Sequence, residues 1–348
     1  MGRLDDLRGS GRAKRHNART IAALTGNPGC NRRAVLDAAG VDKSGLAERV
    51  GFPGAFGQSR FALTRGNAFE AMLKADDCAL LRTVLGADAD LGYQDMGAAD
   101  DGALDKRHDR TATLLASAQA ALIDHPLLTL DIAGQTVYLE PDLIAWAQHG
   151  RLQVVEIKSF AIIDDQAESA KVSAAAVQAA VYVLALRELL GRLGHDPSLV
   201  SHEVVLVCPR DFTLQPAAVV LDIRKQLSTL RRQLSRLASV ETLVEALPDG
   251  LTFDLALEPA DLIDALGHIE PRYAPECLSA CELSVYCRNE AAGSTAALGR
   301  SVRESLGGIP TVHEVLALAE GRQTPTDEQT EAAALLQAAL RLRSEALS

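Results

Sequence analysis

No stretch of this chain approaches the roughly 18 to 20 consecutive apolar residues of a membrane span. The first twenty residues, MGRLDDLRGSGRAKRHNART, lack the apolar core of a signal peptide. These two absences predict an intracellular, cytoplasmic protein with no membrane partner. No internal repeat and no low-complexity tract is present, which argues against a repeat array or a disordered tail. Aromatic residues are few, at 4%. What remains is a globular composition, 47% hydrophobic and 23% charged over 348 residues, enough to bury one large core or two modest ones.

The net charge of −11 argues against a general coat for nucleic acid but leaves room for a local basic groove. Acidic residues gather from Asp76 to Asp109. Basic ones gather at Arg3, Arg8, Arg12, Lys14, Arg15 and Arg19, and again in LDIRKQLSTLRRQLSRLA (221–238). In that second segment Leu227, Leu230, Leu234 and Leu237 fall on one helical face, and Lys225, Arg232 and Arg236 on the other. The basic side is either a solvated outer face or a surface for a nucleic-acid strand.

Helical character is strong over residues 65–85, 111–125 and 164–194, and the acidic, glycine-rich stretch 86–109 reads as a surface loop. Between the second and third helices lie three strand-like runs, LLTLDIAG, QTVYLEPDLIAWA and QVVEIKSF. HEVVLVCPRDF supplies a fourth strand and AAVVLDI a fifth. This order predicts an α/β domain with a sheet of mixed direction. The last two runs of the first three face each other across Gln148-His149-Gly150, the pattern of an antiparallel hairpin.

Charges interrupt that hairpin at Asp142, Glu156 and Lys158. Burying them costs several kcal/mol unless they are paired or bound to a metal. Strand side chains alternate, so Glu156 and Lys158 share a face, and the hairpin sets Asp142 across from them. Two such carboxylates suit Mg²⁺ or Mn²⁺. A lysine two residues from one ligand can orient or help deprotonate the attacking water and stabilise charge building on phosphorus. The alternative is an edge hairpin whose charges reach water. Gln178 and Tyr182 share a helical face at i, i+4, and Glu70, on the helix beginning near Arg65-Gly66, could bring a third carboxylate.

Taken in order, Glu70, Pro141-Asp142, Glu156-Ile157-Lys158 and Gln178-x-x-x-Tyr182 resemble the motifs of RecB-like nucleases of the PD-(D/E)XK superfamily, over about residues 60 to 210. The resemblance implies a restriction-endonuclease-like αβββαβ core. It also implies metal ligation by Glu70, Asp142, Glu156 and the Ile157 carbonyl, a catalytic Lys158, and DNA positioning by Gln178 and Tyr182.

Of six cysteines, Cys277, Cys281 and Cys287 lie within eleven positions. In a reducing cytosol metal ligation explains such a cluster better than disulfides. A tetrahedral zinc site usually has two close pairs, whereas a clustered triad with one distant cysteine fits a cubane iron–sulfur cluster at least as well. Cys30 is the natural fourth ligand, with Cys78 the other choice. The iron–sulfur branch of the same superfamily, which includes the AddB nuclease domain and the CRISPR-associated Cas-four exonucleases, resembles this chain in having one cysteine before the core and three after it. The five residues between Cys281 and Cys287 match that branch. The three between Cys277 and Cys281 depart from its usual two.

The expected organisation is a basic arm carrying Cys30 (1–60), a nuclease core (61–240), an iron–sulfur lobe (241–300) and a C-terminal helical extension (301–348). The expected function is a Mg²⁺/Mn²⁺-dependent deoxyribonuclease, an exonuclease acting on single-stranded DNA or DNA ends, with a structural [4Fe–4S] cluster, in repair or CRISPR-type defence. Two alternatives stand beside it: a non-cleaving DNA-end-binding subunit of a larger complex, and a zinc-stapled interaction protein. No Walker lysine motif is present, so unwinding requires a helicase or defence-complex partner.

Overall fold

A computed structural model describes residues 2–14, 17–18, 20–22, 27, 29–54, 60–87, 91–97, 104–117, 121–132, 135–146, 151–164, 166–211, 213–235 and 240–347. The chain divides into two compact units. One comprises residues 14–28 and 57–242, the other 1–13, 29–56 and 243–348. The basic arm expected over 1–60 is thus shared between them, and most of it belongs with the cysteine-bearing segment rather than standing apart.

The first unit is α/β, built on a six-stranded mixed sheet in the order β1-β2-β5-β6-β7-β8. Its strands are β1 (Gly92–Asp95), β2 (Ala121–Asp124), β5 (Leu143–Trp146), β6 (Leu152–Ile157), β7 (Glu203–Pro209) and β8 (Pro216–Asp222). β3 (Leu128–Ile132) and β4 (Gln135–Leu139) form a separate antiparallel pair. β5 and β6 pair antiparallel with Leu143 opposite Val155 and Trp146 opposite Leu152. β6 runs parallel to β7, which requires a crossover, and the Ser169–Arg192 helix supplies it.

Alternation along the strands sorts the core into two layers. Leu122, Leu143, Val155, Ile157, Val205 and Val207 pack with Phe69, Leu73 and Leu81 of the Arg60–Leu85 helix. Ile123, Ile144, Val154 and Val204 pack with Ala179, Val183, Leu186 and Leu190 of the Ser169–Arg192 helix. Each fully buried Leu, Val or Phe contributes about 1.5–3 kcal/mol relative to exposure. By length and composition the Ser169–Arg192 helix is apolar enough to cross a membrane, although Lys171, Gln178 and Arg187 interrupt its apolar residues. Its apolar surface is used here against the sheet.

Several expectations need correction. The helix over 65–85 is broken at Ala75–Cys78, where Asp76, Asp77 and Cys78 take positive φ. The acidic stretch 86–109 contains β1 and the start of the Leu104–Ala116 helix. The helix expected over 111–125 ends at Ala116, and its last residues form β2, fully buried over Ala-Leu-Ile-Asp. QTVYLEPDLIAWA is two strands in two different sheets, parted at Pro141, whose ring cannot donate to a ladder. The Gln148-His149-Gly150 turn lies outside the described residues, as do Arg15, Arg19, Arg236 and Leu237. Leu227 and Leu230 are buried, and Lys225 and Arg232 exposed, as the 221–238 pattern requires.

In the second unit the Arg3–Arg8 helix packs on the Asn31–Ala39 helix, and Phe253 N–H donates to the Leu7 carbonyl at 2.7 Å. Buried Leu7, Leu36, Leu46, Phe253, Leu262 and Leu266 form the interior of this unit. Segments far apart in the sequence therefore meet in this unit, while Ile309, Val315, Leu318 and Ala333 near the C-terminus form a cluster of their own.

Candidate functional site

Glu156 is the penultimate residue of β6 and 1% exposed. The pleat turns it and Lys158 to the face that also carries Val154, toward the Ser169–Arg192 helix. Lys158 Nζ donates to Glu156 Oε1, while Lys158 N–H holds the Val207 carbonyl at 2.9 Å on the β7 side. Asp142 stands just before β5. Extending the β5–β6 register by one residue puts it opposite Glu156, and its Oδ2 accepts from Ile157 N–H at 2.7 Å. A strand residue sends its N–H and C=O to the same edge, so the Ile157 carbonyl projects to the Asp142 side.

Electrostatics mark the pair. Burial, with the Asp142 charge behind it, pushes the Glu156 carboxyl up to about 8, against the opposing Lys158 charge. Asp142 is also raised, by burial first, with Lys158 and the Ile157 amide working the other way. Glu156 Oε2 is buried and accepts no hydrogen bond among the described residues. An orphaned carboxylate oxygen costs about 1–3 kcal/mol or more, so its retention points to a cation. Two carboxylates and a backbone carbonyl are the hard oxygen donors that Mg²⁺ or Mn²⁺ takes.

Gln178 Nε2 donates to the Tyr182 hydroxyl at 3.1 Å. Tyr182 is buried, and its phenol is raised by burial and then by the charges of Glu156 and Asp142. Glu70 is joined to the group less directly. Its charge is felt by Asp142 and Glu156, but its Oε1 is taken by Lys74 Nζ at 2.6 Å.

Lys74 leads to a cluster that the sequence did not reveal. Its Nζ lies 2.7 Å from Asp124 Oδ1 and 3.1 Å from His125 Nε2. Tyr93 donates to Asp124 Oδ2 at 2.9 Å, and His125 Nδ1 lies 3.4 Å from Asp95 Oδ1. Burial works to raise Asp124, but His125 and Lys74 outweigh it and bring the carboxyl down to about 2. Asp95, Asp124 and His125 could offer three ligands to a metal, yet the Lys74 ammonium already supplies positive charge there. The available signal was the charged Asp124-His125 pair closing an apolar run just before Pro126.

Cys30, Cys277, Cys281 and Cys287 all belong to the second unit. Cys30 caps the Asn31–Ala39 helix, and Cys287, in the Ser284–Glu290 helix, feels the charges of Cys281 and Cys30. Burial pushes the Cys287 thiol up to about 12, against the pull of Arg32. Cys78 is in the other unit, at the helix break. Among the described residues no three of these sulfurs lie within 4.8 Å of one another. Arg32, Arg33 and Lys43 are buried in the same unit, and their charges reach Cys287 or Cys281.

No protein-family description and no curated protein matches the chain. One solved structure, SSO0001, aligns at 13% identity over 58% of this chain and 83% of its own, with a TM-score of 0.22. A superposition that loose carries no argument.

Proposed function

We propose that the protein is a Mg²⁺- or Mn²⁺-dependent deoxyribonuclease with a restriction-endonuclease-like core and a structural iron–sulfur cluster on Cys30, Cys277, Cys281 and Cys287. One observation carries the nuclease reading: a buried Glu156 and a half-buried Asp142 opposite it, both with raised proton affinity and the former with an orphaned oxygen, beside Lys158. Asp142, Glu156 and the Ile157 carbonyl would hold the divalent ion, with Glu70 completing the set on release from Lys74. When bound, the ion supplies charge stabilisation to the scissile phosphate and acidity to the attacking water.

The remaining chemistry belongs to the chain itself. Lys158, partly exposed and tethered through Glu156, is placed to meet the phosphate oxygens as negative charge grows on them. The Gln178–Tyr182 pair fixes a polar edge beside the carboxylates, where a DNA strand is positioned. Water is the nucleophile, so no covalent protein–DNA intermediate forms. The cysteine site ties residue 30 to residues 277–287, and a crosslink over so long a loop is worth on the order of 4 to 5 kcal/mol in a chain-entropy model.

The test is a time course on DNA labelled at either end, single- and double-stranded, with Mg²⁺, Mn²⁺ or chelator. Metal-dependent degradation lost in Glu156→Gln and Lys158→Ala supports the reading. DNA binding without cleavage by metal-loaded protein overturns it in favour of an end-binding subunit.

A further inference from the structure

Arg32 is 1% exposed, among the largest fully buried side chains of the chain. Its guanidinium is fixed on every side. Nε donates to the Ile269 carbonyl at 3.1 Å, and Nη2 to the Leu266 carbonyl at 2.8 Å and Glu290 Oε1 at 3.0 Å. Nη1 also pairs with Glu290, and the guanidinium carbon lies 5.6 Å from the centre of the Tyr286 ring. The remaining acceptor among the described residues is the Cys287 sulfur, 3.5 Å from Nη1.

The two-point Glu290 pair and the two carbonyls balance the buried cation and fix it with Nη1 toward the Cys287 sulfur. A neutral thiol adds little, because sulfur in that state is a poor acceptor. A metal-coordinated thiolate is a different partner, carrying charge that the guanidinium meets. Hydrogen bonds to cluster sulfurs, net charge and burial are the protein's levers on an iron–sulfur centre. Lys43 cannot serve in the same way, since it is held between Asp37 and Glu282.

We propose that Arg32 is the positioning residue of the cysteine site, donating to the Cys287 thiolate so as to hold the bound cluster and raise its reduction potential. This inference rests on the cysteine-cluster reading above. The positive charge favours the reduced, more negative state of the cluster, so its removal lowers the midpoint potential. Its removal would also leave the Cys287 thiolate without its cationic partner, and so easier to protonate and displace.

The experiment uses the full-length protein purified without oxygen, with iron and sulfide assayed, the midpoint potential measured, and loss of the visible thiolate–iron band to a chelator timed. Arg32→Gln is expected to lower the potential and to lose the band at least about ten-fold faster than wild type. Arg32→Lys, which keeps the charge, is expected to stay within about three-fold. An Arg32→Gln protein that folds and loads iron with both readouts unchanged overturns the inference alone. Should Arg32→Gln fail to fold, Glu290→Gln carries the test: a guanidinium freed from its carboxylate raises the potential and slows loss at least about three-fold, and no change or faster loss overturns the proposal. Wild-type protein without iron and sulfide overturns the cluster reading itself.

Discussion

Replacing Glu156 by glutamine removes one titration and almost no volume, so it isolates the charge that defines the site. In the metal-free native protein this carboxyl titrates at about 8, against an ordinary glutamate value of 4.5. Between those two values the native state keeps a proton that the unfolded chain has lost, so stability falls as pH rises through the window. At about 1.36 kcal/mol per pH unit the whole interval is worth on the order of 5 kcal/mol, as a ceiling. Half of that, about 2.5 kcal/mol, moves a urea midpoint by about 1 M or more for a typical slope. The assay is urea unfolding in chelator at pH 5, 6, 7 and 8, followed by the fluorescence of Trp146, the single tryptophan, which lies in β5 of the same unit. Wild type should lose stability relative to Glu156→Gln as pH rises. Asp142 is raised in both proteins, so its contribution largely cancels. Saturating Mn²⁺ should reverse the trend in wild type, stabilising it more at pH 8 than at pH 6, and do little in the variant. Parallel pH profiles for the two proteins would refute the reasoning.

Lys74→Met strips Asp124, which is 2% exposed, of its ammonium partner, and should destabilise the sheet unit by about 3–5 kcal/mol in urea unfolding; a loss under about 1 kcal/mol would contradict the burial argument. Tyr182→Phe gives up one neutral hydrogen bond with Gln178, costing about 1 kcal/mol or less in stability, yet kcat/KM for DNA cleavage should fall at least about ten-fold. Unaltered cleavage would remove Tyr182 from the site. Gly9→Ala puts a methyl group 2.4 Å from Asp254 Cβ at a φ of +72°, and should lower stability by about 2 kcal/mol or more, read by thermal unfolding.

Much of the site's geometry was legible because strand alternation is strict. Glu156 and Lys158 had to share a face, and the hairpin register had to bring Asp142 opposite them. The Gln178–Tyr182 hydrogen bond followed from helical spacing in the same way. β2 was not legible, because three apolar residues and an aspartate following an alanine-rich segment carry no period of their own and only the sheet around them selects the strand. β1 was hidden by its polar sequence and half-exposed edge position. Arg32 follows Cys30 by two positions, yet nothing local shows that its guanidinium meets a sulfur 255 residues away. The Lys74–Asp124–His125 cluster was missed for the same reason, since its members come from a helix and a strand end that only the fold joins.

The most direct measurement is single-turnover hydrolysis of end-labelled DNA by wild type and Lys158→Ala at the same Mn²⁺ occupancy, with DNA affinity measured in parallel. The account predicts retained binding and a cleavage rate at least about a hundred-fold lower in the variant. Equal cleavage rates, or no metal-dependent cleavage by the metal-loaded wild type, would contradict it.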